Sequence, residues 1–149
     1  MTVTTYYQLV VTSTLNGVQC FATTAPITVN VNQVVASTIA ANQTICSGGD
    51  PAAFTVSTAA TGTASPTYQW QSSTTSSTGG FNSISGATAA TYNPGPGLAT
   101  TTYYQVIATS TLNGVTCSAT SNPLTVTVNN VSAGTIASNQ TPWSLILYR

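Results

Sequence analysis

The chain has 149 residues, 42% of them hydrophobic and 1% charged; Asp50 and Arg149 are its only charged side chains, and His is absent. Average globular chains are about 25% charged, so hydration here falls to Thr and Ser, and nothing clusters the Lys/Arg that nucleic acid or an anionic membrane surface requires. With one carboxylate and no imidazole or amine side chain, general acid–base work, an activated Ser or Thr nucleophile and a glycosidase carboxylate pair have no donors, and we expect no enzyme and no cofactor.

In chain order, "TTYYQLVVTSTLNGVQC" from Thr4 reads as two strands joined at Asn16-Gly17, the pair that a type I′ hairpin turn favours. "ITVNVNQV" (Ile27 to Val34) alternates apolar and polar residues, and "TIAANQTICSGGDP" carries Cys46 into a turn that we expect Asp50 to cap. "AAFTVST" puts Phe54 and Val56 on one face, and "TYQWQSS" sets Tyr68 and Trp70 against glutamines. "ATYNPGPG" ends a short strand holding Tyr92. "TTYYQVIATS" then separates Tyr104, Val106 and Ala108 from Tyr103, Gln105 and Ile107. Asn113-Gly114 marks another hairpin, and "LTVTV" turns Leu124, Val126 and Val128 inward; Pro123 before it predicts an edge strand or a bulge. Period-two patterning broken by turn signals, with no helical stretch, predicts an all-β sandwich. No apolar run approaches the ~18 residues of a membrane-spanning helix, and no basic, apolar leader follows Met1.

The opening phrase returns. "TTYYQVIATSTLNGVTC" from Thr101 matches the stretch from Thr4 at thirteen of seventeen positions, an offset of 97. "LTVTVNNV" (Leu124 to Val131) repeats "ITVNVNQV", and "TIASNQT" from Thr135 repeats "TIAANQT" from Thr38. Such a period marks tandem units. We expect residues 1–35 to be the closing hairpin of one unit, 36–131 a complete domain, and 132–149 the start of a third, off-pattern after 141. On that reading the chain is cut from a longer array.

"NQTICSGGDPAAFT", "TYQWQSS…GGFNSISGATAATYNPGPG" and "TTYYQVIATS…CSATSNPLTVTV", in that order, resemble the tandem Ig-like repeats of very large secreted surface proteins of Bacteroidetes-type bacteria. The resemblance covers almost everything from Met1 to Thr141. It implies an immunoglobulin-like sandwich, exported to the cell surface in stalks and adhesins. In Ig domains a strand-C Trp packs in the core and a strand-F Tyr precedes the second inter-sheet Cys by two residues. Trp70 and Tyr104 fit those places, with Val106 where the cysteine would stand and Phe54 or Val56 facing it.

Three cysteines remain. Cys46 and Cys117 are the pair within one complete unit, whereas Cys20 is the copy of Cys117 and its partner would precede Met1. A Cys46–Cys117 bridge with Cys20 as an unpaired thiol is the expected arrangement, and its long loop would be worth roughly 4 kcal/mol on the chain-entropy model. Three reduced thiols are the alternative. Metal binding lacks ligands.

Three functions are compatible with this inventory. The first is a non-catalytic spacer in a surface adhesin, with neighbouring repeats as its partners. The second is a carbohydrate-binding module in which Tyr68, Tyr92 and Tyr103 contact polysaccharide, which would require their rings to be exposed together. The third, a threonine face that orders water or ice, needs ranks of outward threonines over many strands.

Overall fold

The computed structural model describes residues 3–135, and all regular structure among them is β. Four strands precede the domain: β1 (Thr5–Tyr7), β2 (Val10–Leu15), β3 (Val18–Thr23) and β4 (Ile27–Val29). β2 and β3 form a hairpin through Asn16-Gly17, and β1 pairs with β4 below it. Asn16 and Gly17 have φ of 50° and 79°, as do Asn113 and Gly114, so both turns use the left-handed geometry that selected these residues. A short strand, β5 (Val34–Val35), then enters the domain.

The domain itself has two sheets. β6 (Thr38–Ala40), β8 (Phe54–Thr58) and β12 (Thr91–Tyr92) make a three-stranded sheet in the order β12-β8-β6. The larger sheet runs β11-β10-β13-β15-β7, from β7 (Gln43–Cys46), β10 (Thr67–Ser73), β11 (Asn82–Ser83), β13 (Thr102–Leu112) and β15 (Leu124–Asn129). A sixth strand, β14 (Val115–Thr120), pairs with the far half of β13, and β9 (Thr61–Gly62) pairs with β5. All pairings are antiparallel except β15 with β7, which is parallel.

Alternation dictates which residues meet between the sheets. Trp70, Tyr104, Val106, Leu124 and Val126 point inward from the larger sheet, and Ile39 and Phe54 from the smaller. Phe54 sits with its ring centroid 4.7 Å from that of Tyr104 and 6.1 Å from that of Trp70. The Trp70 indole is wholly buried, and its Nε1–H donates to the carbonyl of Ala89 at 2.9 Å, so this core residue leaves no polar atom unpaired. Val106 is fully buried in the same cluster.

Pro123 meets one of its two expectations: between Ile107↔Thr120 and Tyr104↔Leu124 two residues of β13 oppose three, 121–123, so it stands in a bulge and not on an edge. It lies just before β15, and β15 is an interior strand between β13 and β7. Its missing N–H costs nothing there, because it stands where β13 changes partner from β14 to β15. The threonine-face reading meets a mixed surface: beside Thr125 and Thr127, the outward residues of the larger sheet include Gln69, Gln71, Tyr103, Gln105 and Ile107. The start of a third repeat beyond 135, and its off-pattern tail, lie outside the described residues.

Candidate functional site

No group of three His, Cys, Asp or Glu side chains among the described residues lies close enough to hold a metal, and no helix is long and apolar enough to cross a membrane. Asp50 is exposed beside a turn that the backbone closes by itself, with Gly49 N–H donating to Cys46 O at 2.9 Å. A dense polar network among the described residues lies elsewhere. It lies where residues 31–35 meet the domain.

Asn32 is its centre. The side-chain amide Nδ2 donates to the carbonyl of Ser110 at 2.7 Å and to that of Val115 at 2.8 Å, and Oδ1 accepts from Ser110 Oγ at 2.9 Å. Three of the four bonds this amide is able to make are therefore spent on the mouth of the β13–β14 hairpin. Its backbone carbonyl accepts from the Cys117 thiol, with Sγ at 3.5 Å. Ser110 is fully buried, and its hydroxyl also accepts from Ala64 N–H at 3.3 Å. Next, Gln33 and Thr63 exchange bonds: Gln33 N–H donates to Thr63 Oγ1 and Thr63 N–H to Gln33 O, both at 3.0 Å. Val34 and Val35 then pair with Gly62 and Thr61. Gly62 is required here, because a Cβ would come within 2.9 Å of the carbonyl oxygens of Gln33 and Ala64. A shallow depression of about 280 Å³, lined by Gln33, Val35 and Thr61 to Thr63, marks this joint.

The sequence reading missed this site. Asn32 was visible only as one asparagine in a repeated strand, and its bonds reach residues 78 and 83 positions away.

The expected cysteine bridge is not formed; all three cysteines are free thiols. Cys117 is the register partner of Ser110 at one end of β13. Cys46 lies beside Asn129, beyond the opposite end, where β15 has already run past Thr102. At about 3.3 Å per residue the two are on the order of 30 Å apart, against the 7 Å limit for bridged Cα atoms. Geometry forbids a Cys46–Cys117 bridge within one unit.

The three tyrosines proposed for polysaccharide do not share a surface. Tyr92 turns inward, with its ring centroid 5.8 Å from that of Trp70 and 6.0 Å from that of Tyr104. Tyr68 is half-buried against the same core, and its hydroxyl accepts from Ala60 N–H at 3.1 Å. Tyr103 is on the outer face of the larger sheet, half-buried between Ser73 and Thr125. Trp70, Tyr104 and Val106, by contrast, lie together in the core. Burial raises the pKa of Tyr92, and burial together with the neighbouring Tyr92 pushes Tyr104 up to about 12.

Residues 35–130 match the model of a family described as a domain of unknown function, DUF8696. The chain belongs to the DUF8696 family. No curated protein and no solved structure matches it. The DUF8696 domain thus begins at the second residue of β5, and Asn32 reaches it from the segment just outside. The joint lies between that segment and the domain.

Proposed function

We propose that this chain is a non-catalytic spacer from a tandem array of Ig-like units, displayed at the surface of a cell as part of an adhesin. The observation that carries this reading is the joint at Asn32. A flexible connector between independent domains leaves its backbone to solvent, whereas residues 31–35 are bonded along their length to the domain that follows. Asn32 has a copy, Asn129, at the equivalent place after the complete unit. A joint that repeats fixes the angle between units, and a fixed angle makes an array extend.

The strand order supports the Ig-like part. Strands β8 and β12 in one sheet face β10, β13 and β15 in the other, the arrangement of strands B and E against C, F and G in Ig domains. Trp70 on the C-like strand and Tyr104 on the F-like strand occupy the expected core places. The adhesin setting rests on the sequence resemblance and on an inventory without catalytic groups. The polysaccharide reading keeps only Tyr103 as a platform, and one half-buried ring is a poor one.

The test duplicates residues 33–129 in tandem after Asn129 of the full chain, so that Asn129 of the first copy takes the place of Asn32 before the second. Small-angle scattering should give the profile of an elongated, stiff pair of units. Gly62→Ala in the second copy should loosen it, because the added methyl displaces the connector. A parent protein whose scattering is already that of two freely jointed domains would refute the spacer.

A further inference from the structure

The joint and the cysteines are related by the repeat. At one end of the domain, Cys117 places its Sγ 3.5 Å from the backbone carbonyl oxygen of Asn32. At the other end, Cys46 is the parallel-register partner of Asn129, and the next residue, Ser47, donates its N–H to the Asn129 carbonyl oxygen at 3.0 Å. Asn32 and Asn129 are the same residue of the unit, 97 positions apart. In consecutive units one asparagine carbonyl therefore receives both bonds: the Ser47 N–H of its own unit and the Cys117 thiol of the next. Its two lone pairs accommodate both.

The side chains converge as well. Parallel neighbours in a sheet lie about 4.8 Å apart, and paired residues point to the same face. Cys46 thus projects on the side of the strand from which the asparagine side chain reaches out. In the joint that side chain ends on Ser110, the register partner of Cys117. Cys46 is exposed and has room to turn; Cys117 is half-buried at the joint. The same logic accounts for Cys20. As the copy of Cys117 it would meet Cys46 of the unit before it, whereas the copy of Cys46 in the following unit, at position 143, is replaced by Trp143 in the off-pattern tail.

We propose that Cys46 of one unit and Cys117 of the following unit form a disulfide across the joint. This inference rests on the tandem reading of the chain. The bond forms by thiol–disulfide exchange: two thiols give one S–S bond, and their two electrons and two protons pass to a small disulfide oxidant such as oxidised glutathione, released as two thiols. Each joint then becomes covalent, while each domain has no bridge of its own.

The tandem-duplicated chain described above tests this, with Cys20 replaced by Ser in two variants. The first keeps only Cys46 of the first copy and Cys117 of the second. The other keeps Cys46 and Cys117 of the first copy alone. On treatment with oxidised glutathione, the first should lose both thiols to an internal disulfide at least about tenfold faster than the other, as expected for thiols held at high effective concentration. Peptide mapping should identify the bond. Equal rates, or a first variant that keeps both thiols, would overturn the proposal. Scattering from the reduced first variant keeps the two readings apart. An elongated pair that never bridges ends the disulfide and leaves the spacer. A freely jointed pair that still bridges supports the disulfide and ends the stiff spacer.

Discussion

Ser37 Oγ is the one buried side-chain polar atom among the described residues that has no hydrogen-bond partner. A hydroxyl shielded from solvent with no protein partner contributes nothing to offset its burial, so Ser37→Ala should raise stability by about 1 kcal/mol. The copy of Ser37 in the following repeat is Gly134, which lacks the hydroxyl too. A rise in the urea midpoint with unchanged slope checks it. Tyr104 gives a pH-dependent counterpart. Its folded pKa is pushed up to about 12 from an ordinary value of 10.0. The unfolded chain therefore loses this proton first as pH rises. The stability from keeping Tyr104 neutral is fully present below pH 10 and is lost as pH climbs through about 12. The loss amounts to roughly 2 to 3 kcal/mol at 1.36 kcal/mol per unit. Denaturant midpoints should be level up to pH 9 and fall steeply above 10, and Tyr104→Phe should flatten the fall.

At the scale of elements, the long strand β13 shows what the sequence made legible. Its alternation identified Tyr104, Val106 and Ala108 as inward residues, and Asn113-Gly114 identified the turn after it, because both signals are local. The change of partner from β14 to β15 was legible only in Pro123. Val106 falls in the gap between them, and its N–H is satisfied by the buried hydroxyl of Ser121 at 3.0 Å, while Ser121 N–H donates back to Val106 O at 3.0 Å. The same device stands in the first repeat, where Thr24 Oγ1 accepts from Leu9 N–H at 3.0 Å and Thr24 N–H donates to Leu9 O at 2.9 Å. Ser121→Ala should thus cost about 1 to 3 kcal/mol by orphaning a buried N–H. Ser121→Thr, the residue that its copy uses, should cost far less. Equal losses in thermal melts of the two variants would mean that volume, not the hydroxyl, matters there. The cysteine pairing failed for a related reason. Spacing along the chain counts residues between cysteines, but only the parallel β7–β15 pairing decides at which end of the domain Cys46 lies. That contact joins residues more than eighty positions apart, and no local pattern announces it.

For the molecule as a whole, the first repeat poses a problem that its own copy defines. Tyr104, Val106 and Leu124 are 3%, 0% and 2% exposed, whereas their copies Tyr7, Leu9 and Ile27 are 44%, 61% and 67% exposed. The hairpin register is the same in both, with Thr5 opposite Val29 as Thr102 is opposite Val126. What differs is the opposing sheet: β6, β8 and β12 cover the second copy, and no described strand covers the first. The uncovered face also carries a groove of about 240 Å³ lined by Leu9, Ala25 and Ile27 among others. Burying a large aliphatic side chain is worth about 1.5 to 3 kcal/mol, so several together favour association of two such faces over exposure to water. An unpartnered two-stranded ribbon is also marginal by itself, and a near-uncharged chain has no repulsion to keep copies apart. The 149-residue chain should therefore self-associate with rising concentration through residues 3–31. Leu9→Thr combined with Ile27→Thr should restore a monomer without changing the melting of the domain, because neither residue contributes to the domain core. Sedimentation equilibrium over a hundredfold concentration range, read beside hydrogen exchange of the hairpin amides, decides the matter. A monomer throughout, with those amides strongly protected, would mean that the face is covered within one chain, and the association predicted here would not occur.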